Sequence, residues 1–221
     1  MNYLTHQLLS SEELEILRKN LDKEKLFWED GKQTAGKQAA KVKDNLQLRR
    51  DSDLSIKFSG LITKKILNNE LIKSFALPKK VHGTMFSKST SGMKYGRHLD
   101  NPYMSSGRAD LSFTIFLNPK DNYGGGELCI EGFNSEEKFK LEAGEIIIYP
   151  STYLHSVEEV IAGERLVFIG WIESYVKSIE EREYLFDLDA AARSLLSKYG
   201  RSDEVDLIYK SYSNLLRRLG S

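Results

Sequence analysis

The 221-residue chain carries 32 Lys and Arg against 32 Asp and Glu, a formal net charge of zero, with 40% hydrophobic and 29% charged residues. That composition fills the core of one principal domain with decoration, or at most two small domains, and gives no global basic field for nucleic acid or an anionic membrane. Its one cysteine, Cys129, excludes an intrachain disulfide, fits a reducing cytosol and reads as an inert strand residue; the polar opening Asn2-Tyr3-Leu4-Thr5-His6 reads as neither a secretory signal nor a membrane span.

Residues 1–78 read as a mainly helical support region. Ser10-Ser11-Glu12-Glu13 is a helix cap, with Leu14, Leu17 and Leu21 following at helical spacing. Trp28-Glu29-Asp30-Gly31 ends a segment at a turn, and Thr34 to Gln47, rich in Lys, Ala and Gln, reads as an exposed irregular stretch or lid. Ser52 to Phe75 returns to helical spacing, with Leu54, Phe58, Leu61, Ile62, Ile66, Leu71 and Ile72 as its core stripe.

Residues 79–174 change character. Short β-rich runs recur between turns: Val81–Phe86, Met93–His98, Leu111–Leu117, Glu127–Glu131, Lys138–Leu141, Ile146–Tyr149 and Leu166–Ile172. About eight short strands in so small a space predict a double-sheet jelly roll. Residues 175–221 revert to two helices split at Gly200, whose Leu and Tyr stripes need a partner surface on the barrel or on a second subunit. The fold class is therefore α+β, a jelly-roll core flanked by N- and C-terminal helices.

The chemistry lies in His98-Leu99-Asp100, His155 and Arg165. On a strand His98 and Asp100 share a face while Leu99 points away. Two imidazoles and one carboxylate can occupy one face of an octahedral Fe(II) and leave open positions, the site type of non-haem iron oxygenases. His155 follows the apolar run Ile146–Tyr149, closed by Pro150, and Arg165 opens a strand on which Arg165, Val167, Ile169 and Trp171 share a face. Its guanidinium can hold the far carboxylate of a dicarboxylate cosubstrate. Fe(II), one Asp, a 2-oxoglutarate dianion and Arg165 balance to zero charge, as a buried site requires.

With these residues in place the chain resembles the PKHD-type hydroxylases, a branch of the prolyl-4-hydroxylase-like Fe(II)/2-oxoglutarate dioxygenases, nearly end to end. The resemblance is carried by Trp28–Gly31, Tyr95–Asp100, Arg108–Ser112, Tyr123–Leu128, Leu141–Glu145, Tyr149-Pro150-Ser151, Leu154-His155, Trp171–Ser174 and Leu185–Asp189. It implies a double-stranded β-helix in which His98, Asp100 and His155 bind Fe(II) and Arg165 binds 2-oxoglutarate. The reaction implied is O2-dependent hydroxylation of an unactivated C–H bond with release of succinate and CO2. The substrate implied is peptidyl proline, and L-ascorbate an accessory reductant. The Tyr that animal prolyl hydroxylases place before the Leu-Asn pair is Phe116 here, so Tyr95 or Ser112 is the candidate replacement donor, and Trp171 a pocket wall.

Other readings stand beside these. Arg165 could pair with Glu158 or Glu159, Arg108 and Asp110 could form a structural ion pair or meet substrate, and His6 and His82 have no visible partners. A hydroxylase of a free amino acid or small metabolite, and a non-catalytic iron or 2-oxoglutarate sensor on the same fold, are the alternatives; nucleic-acid demethylation is weakened by the zero net charge. A homodimer through the C-terminal helices and a cytoplasmic location complete the expectations.

Overall fold

Serines and an asparagine start the helices of this chain. In a computed structural model, residues 3–22, 27–34, 36, 38–132 and 134–221 are described. β1 (Leu4–Gln7) leads to α1 (Ser11–Leu21). The Ser10 hydroxyl accepts from the Glu13 amide while the Ser10 amide donates to the Glu13 carboxylate at 2.8 Å, satisfying two donors that a helix start leaves open. β2 (Trp28–Asp30) and β3 (Leu46–Leu48) bracket two 3-10 turns, Gly31–Thr34 and Ala39–Val42. α2 (Asp53–Asn68) and α3 (Glu70–Ala76) begin at Ser52 and Asn69, and Leu77, in the left-handed region at φ 44°, turns the chain out of α3.

The strands that follow are β4 (Pro78–Thr90), β5 (Tyr95–His98), β6 (Tyr103–Met104), β7 (Gly107–Arg108), β8 (Leu111–Phe116), β9 (Tyr123–Gly125), β10 (Leu128–Glu131), β11 (Glu136–Phe139), β12 (Glu145–Pro150), β13 (His155–Val157) and β14 (Val160–Ser174). α4 (Ile179–Tyr199) and α5 (Asp203–Leu219) close the chain. The larger sheet runs β1-β12-β8-β14-β4-β3-β2, with β9 also on β14, and the smaller runs β11-β10-β13-β5. Two antiparallel sheets facing each other make the jelly roll, and the helices make the fold α+β.

Strand alternation divides the interior. Ile146, Ile148, Phe113 and Phe168 pack outward against the helices, in one core with Leu14, Leu17, Phe58 and Ile66. Their neighbours Ile147, Tyr149, Phe116 and Val167 point the other way, onto Leu128, Ile130 and Phe139 of the smaller sheet. The strip bearing Arg165 therefore faces the space between the sheets.

Three expectations are corrected here. Trp28–Asp30 is a strand, β2, rather than the end of a segment at a turn, and with β1 and β3 it joins the large sheet beside the helices of residues 1–78. Within Thr34 to Gln47, where Ala35 and Lys37 lie outside the described residues, Lys43, Asn45 and Gln47 are buried. Polar side chains read as solvent-facing, but Lys43 and Asn45 line a polar cavity and Gln47 accepts from the Thr34 hydroxyl. In the α2–α3 stripe Leu61 and Leu71 are exposed. Each adjoins a buried isoleucine, and residues adjacent in a helix lie about 100° apart, so both cannot face the core.

The tail finds its partner surface within the chain. Leu77, Val176 and Leu185 form a small core covered by Tyr212, Leu215, Leu216 and Leu219, and Phe75 meets Phe186 edge-on at 5.8 Å. Truncation after Ser174 is expected to uncover Leu77 and Phe75, at about 1.5–3 kcal/mol for each large apolar side chain returned to water. Gel filtration and thermal melting of the truncated protein check this; a soluble, monodisperse protein with an unchanged melting temperature would make the tail an independent module.

Candidate active site

The smaller sheet supplies the imidazoles. His98 ends β5 and His155 begins β13, and the two are direct cross-strand partners with ring centroids 4.3 Å apart. Each ring donates from Nδ1 to a backbone carbonyl two residues before it, His98 to Gly96 at 2.8 Å and His155 to Tyr153 at 3.0 Å. A carbonyl only accepts, so Nδ1 carries the proton and the Nε2 lone pair of each ring faces inward. Burial and the adjacent His155 push His98 down to about 4, so its imidazole is neutral at pH 7, the form a metal binds.

The larger sheet fixes the carboxylate. Asp100 Oδ2 accepts from Ser112 Oγ at 2.6 Å and from Trp171 Nε1 at 2.9 Å, and lies 3.8 Å from His155 Nε2. Ser112 also shares a hydrogen bond with Ser151 at 2.8 Å. Both bonds to Asp100 fall on Oδ2 and fix the orientation of the carboxylate. Ligand atoms of His98, Asp100 and His155 all lie within 4.8 Å of one another, close enough for one cation to bridge them. Two imidazoles and one carboxylate converging on one point suit Fe(II).

Arg165 lies deeper between the sheets. It is only 3% exposed, its Cζ sits 5.5 Å from the Phe116 ring centroid, and its Nε has no hydrogen-bond partner. No carboxylate among the described residues lies within ion-pair distance of it: Glu158 pairs with Lys138, and Glu159 with Lys94 at 3.4 Å. A buried guanidinium without a counter-ion is costly and is stabilised when an anion arrives. Gly126 shapes this corner. At φ +71° it is in the left-handed region, and a Cβ there would stand 3.0 Å from Arg165 Cδ and 3.2 Å from the Tyr123 ring. That accounts for glycine at position 126. Gly126→Ala is expected to displace the Arg165 side chain and weaken anion binding about tenfold or more, checked by titrating 2-oxoglutarate into wild type and variant.

The residues predicted for the site converge on one cavity of about 430 Å³, lined by His98, Asp100, His155, Arg165, Tyr95, Ser112 and Trp171. Tyr95 stacks on the His98 ring at 3.6 Å. Ser112 and Trp171 both spend their donors on Asp100, so neither replaces the hydroxyl absent at Phe116. Two tyrosines that sequence reasoning missed are placed to do so. Tyr149 is buried against His155, and burial with the Asp100 charge pushes its phenol well up, so it keeps its proton. The buried Tyr123 hydroxyl has no partner among the described residues and sits in the electrostatic range of Arg165. Both resemble core aromatics in sequence; Tyr149 lines the cavity with Arg165, and Tyr123 meets the Arg165 side chain's neighbour Gly126.

Other candidates drop out. Arg108 grips Asp110 at 2.7 and 2.8 Å and the Ser174 carbonyl at 2.8 Å, outside the cavity, as a tie at the end of β14. His82 and His6 do have partners: His82 is held by Ser106 and the Arg108 carbonyl, and His6 meets Asn69 at 2.9 Å. Cys129 is buried, and desolvation pushes its thiol up to about 11, so it stays protonated.

Comparison with known proteins agrees with this geometry. A PKHD-type hydroxylase of Prochlorococcus marinus strain MIT 9215 is 74% identical over 220 residues, covering 100% of both chains. The chain belongs to the PKHD-type hydroxylase family. A second member, from strain MIT 9312, is 70% identical over 100% of both chains. Residues 84–173 match the 2OG-Fe(II) oxygenase superfamily and residues 180–220 the PKHD-type hydroxylase C-terminal domain. The protein is thus a 2-oxoglutarate- and Fe(II)-dependent oxygenase of the hydroxylase type. Solved structures share the fold at low identity. A Pseudomonas putida prolyl-4-hydroxylase has a TM-score of 0.56 at 17% identity, over 78% of this chain and 92% of its own. A Trichoplax adhaerens prolyl hydroxylase, solved with a hypoxia-inducible-factor peptide, has 0.57 at 16%, over 83% and 86%. No helix among the described residues is long and apolar enough to cross a membrane.

Proposed function

We propose that His98, Asp100 and His155 hold Fe(II), that Arg165 holds the far carboxylate of 2-oxoglutarate, and that the substrate is a peptidyl proline. The observation that carries the reading is the buried, unpaired Arg165 guanidinium on the same cavity as a two-His, one-carboxylate cluster. When bound, the metal and cosubstrate supply the coupling of oxidative decarboxylation, to succinate and CO2, with hydroxylation of an unactivated C–H bond. Around them the protein positions and excludes water. Ser112 and Trp171 hold the Asp100 carboxylate in one orientation, the Gly96 and Tyr153 carbonyls fix the histidine tautomers, and Val167 and Ile169 keep the wall beyond Arg165 dry. Tyr149 or Tyr123 supplies the hydroxyl that Phe116 lacks.

A free amino acid or small metabolite is the second reading, supported by the size of the cavity and by the wall that Thr34, Ala39 and Lys43 build over one side of it. Within the same proposal, L-ascorbate acts as accessory reductant, the lone Cys129 supports a cytoplasmic setting, and the exposed Leu195, Leu196, Tyr199 and Leu207 support a homodimer through α4 and α5. The test is mass spectrometry of proline peptides and free amino acids after incubation with the iron-loaded enzyme and 2-oxoglutarate. Addition of one oxygen to a peptidyl proline, with matching succinate, is the expected result. Oxygen added only to free small molecules would move the assignment to the second reading.

A further inference from the structure

The cavity carries more positive charge than iron and 2-oxoglutarate need. Among the described residues lining it Asp100 is the only carboxylate, and that carboxylate is committed to the metal cluster. Three basic side chains line it among the described residues: Arg165, Lys43 and Arg50. With Fe(II), Asp100, the cosubstrate dianion and Arg165 balanced, Lys43 and Arg50 are left over.

Neither has an acidic partner among the described residues. Lys43 is 95% buried, yet its ammonium has only the Thr34 hydroxyl at 3.3 Å and the Tyr95 ring, with centroid 5.1 Å away. The nearby Asp30 carboxylate accepts from the Lys32 amide instead. Arg50 is exposed as a residue, but its guanidinium reaches the cavity wall at Met85, where it finds only the sulfur at 3.6 Å. A buried ammonium with a second cation in electrostatic range, and with Asp100 and Asp30 near but no described carboxylate in ion-pair contact with either cation, is an arrangement that folding alone disfavours. A soluble anion arriving at this spot would relieve it. The position suits substrate rather than cosubstrate: Lys43 lies over the ring of Tyr95, which stacks on the His98 ring at 3.6 Å, whereas Arg165 lies against Phe116.

We propose that the substrate carries a carboxylate that docks against Lys43 and Arg50 while the carbon to be hydroxylated faces the His98–Asp100–His155 cluster. This rests on the iron and 2-oxoglutarate reading of the site. The carboxylate can belong to a free amino acid, to a peptide C-terminus or to an acidic side chain next to the target residue.

Matched probes separate these sources: L-proline against L-prolinamide, Gly-Ala-Pro with a free C-terminus against its amide, and a blocked peptide with internal Pro followed by Asp against the same with Asn. Each is titrated anaerobically into the full chain loaded with Fe(II) and 2-oxoglutarate, following the visible absorption band, and products are weighed by mass spectrometry. In at least one pair the carboxylate is expected to bind about tenfold tighter or more, the scale of one charge-assisted hydrogen bond. That preference should fall to within about threefold in Lys43→Gln and in Arg50→Gln, and recover in part in Arg50→Lys. Equal or weaker binding of the carboxylate member in all three pairs overturns the proposal, as does failure of every carboxylate probe to bind, or a preference that survives both Gln variants. If the absorption band never forms in the wild type, the iron and cosubstrate reading fails, and this inference with it.

Discussion

Asp100→Ala is expected to abolish 2-oxoglutarate turnover, and His98→Ala and His155→Ala to do the same. Each removes one of three candidate ligand atoms held within 4.8 Å of one another, and among the described residues no other carboxylate lines the cavity to take the place of Asp100. The Asp100 variant has a second cost, since the Ser112 hydroxyl and the Trp171 indole both lose their acceptor. Trp171→Phe separates the two effects: it keeps the carboxylate, frees it to turn, and is expected to cost about 10–100-fold in metal affinity. Succinate release and metal content after dialysis check both variants, with circular dichroism as the control for folding. Near-normal turnover in Asp100→Ala would sink the metal assignment. Zn(II), Ni(II) or Cu(II) can displace Fe(II) in purified protein, because Fe(II) ranks low among these ions in affinity, so metal content is read alongside activity.

Arg165→Lys is expected to weaken 2-oxoglutarate binding by about 1.5–3 kcal/mol while leaving iron affinity without cosubstrate nearly unchanged. Lys keeps the charge but loses the planar fork, and its shorter ammonium must be reached through a corner already closed by Gly126, Tyr123 and the Phe116 ring. Anaerobic titration of 2-oxoglutarate into the Fe(II) protein measures the change directly. An unchanged dissociation constant would return Arg165 to a structural role. Tyr149→Phe and Tyr123→Phe, each removing one hydroxyl from that corner, show which of the two replaces the donor missing at Phe116.

The cluster was legible in sequence from residue type and order, because His155 follows one strongly apolar run and Arg165 opens another; strand alternation does not place Asp100, which lies past the end of β5 and is held by Ser112 and Trp171 of the larger sheet. The jelly roll was legible from the apolar patterns of β4, β8, β12 and β14. Shorter elements escaped. β13 is three residues long and β9 is mostly glycine, so neither shows a period of two. β2 and β3 are polar or brief, and their burial comes from pairing with each other and with β4 rather than from their own pattern. Lys43, Asn45 and Gln47 were misread because a polar side chain in a one-dimensional pattern looks the same whether it faces water or the interior. Tyr123 and Tyr149 escaped for the converse reason: an aromatic at a buried strand position looks like packing until its hydroxyl is seen without a partner or beside a guanidinium.

The direct pairing of His98 with His155 makes the hydrogen-bond ladder of the smaller sheet a ruler for the site. The spacing of the two imidazoles depends on register between β5 and β13, and not on the length of anything that joins them. The chain can therefore lengthen or shorten its connections, between Asp100 and β8 or between β11 and β12, with the imidazole pair unmoved. One residue inserted inside β5, however, would turn His98 to the opposite face of the sheet. Variation among enzymes built this way is thus channelled into the rim segments that meet substrate, while the part that holds the metal is kept in place by its backbone.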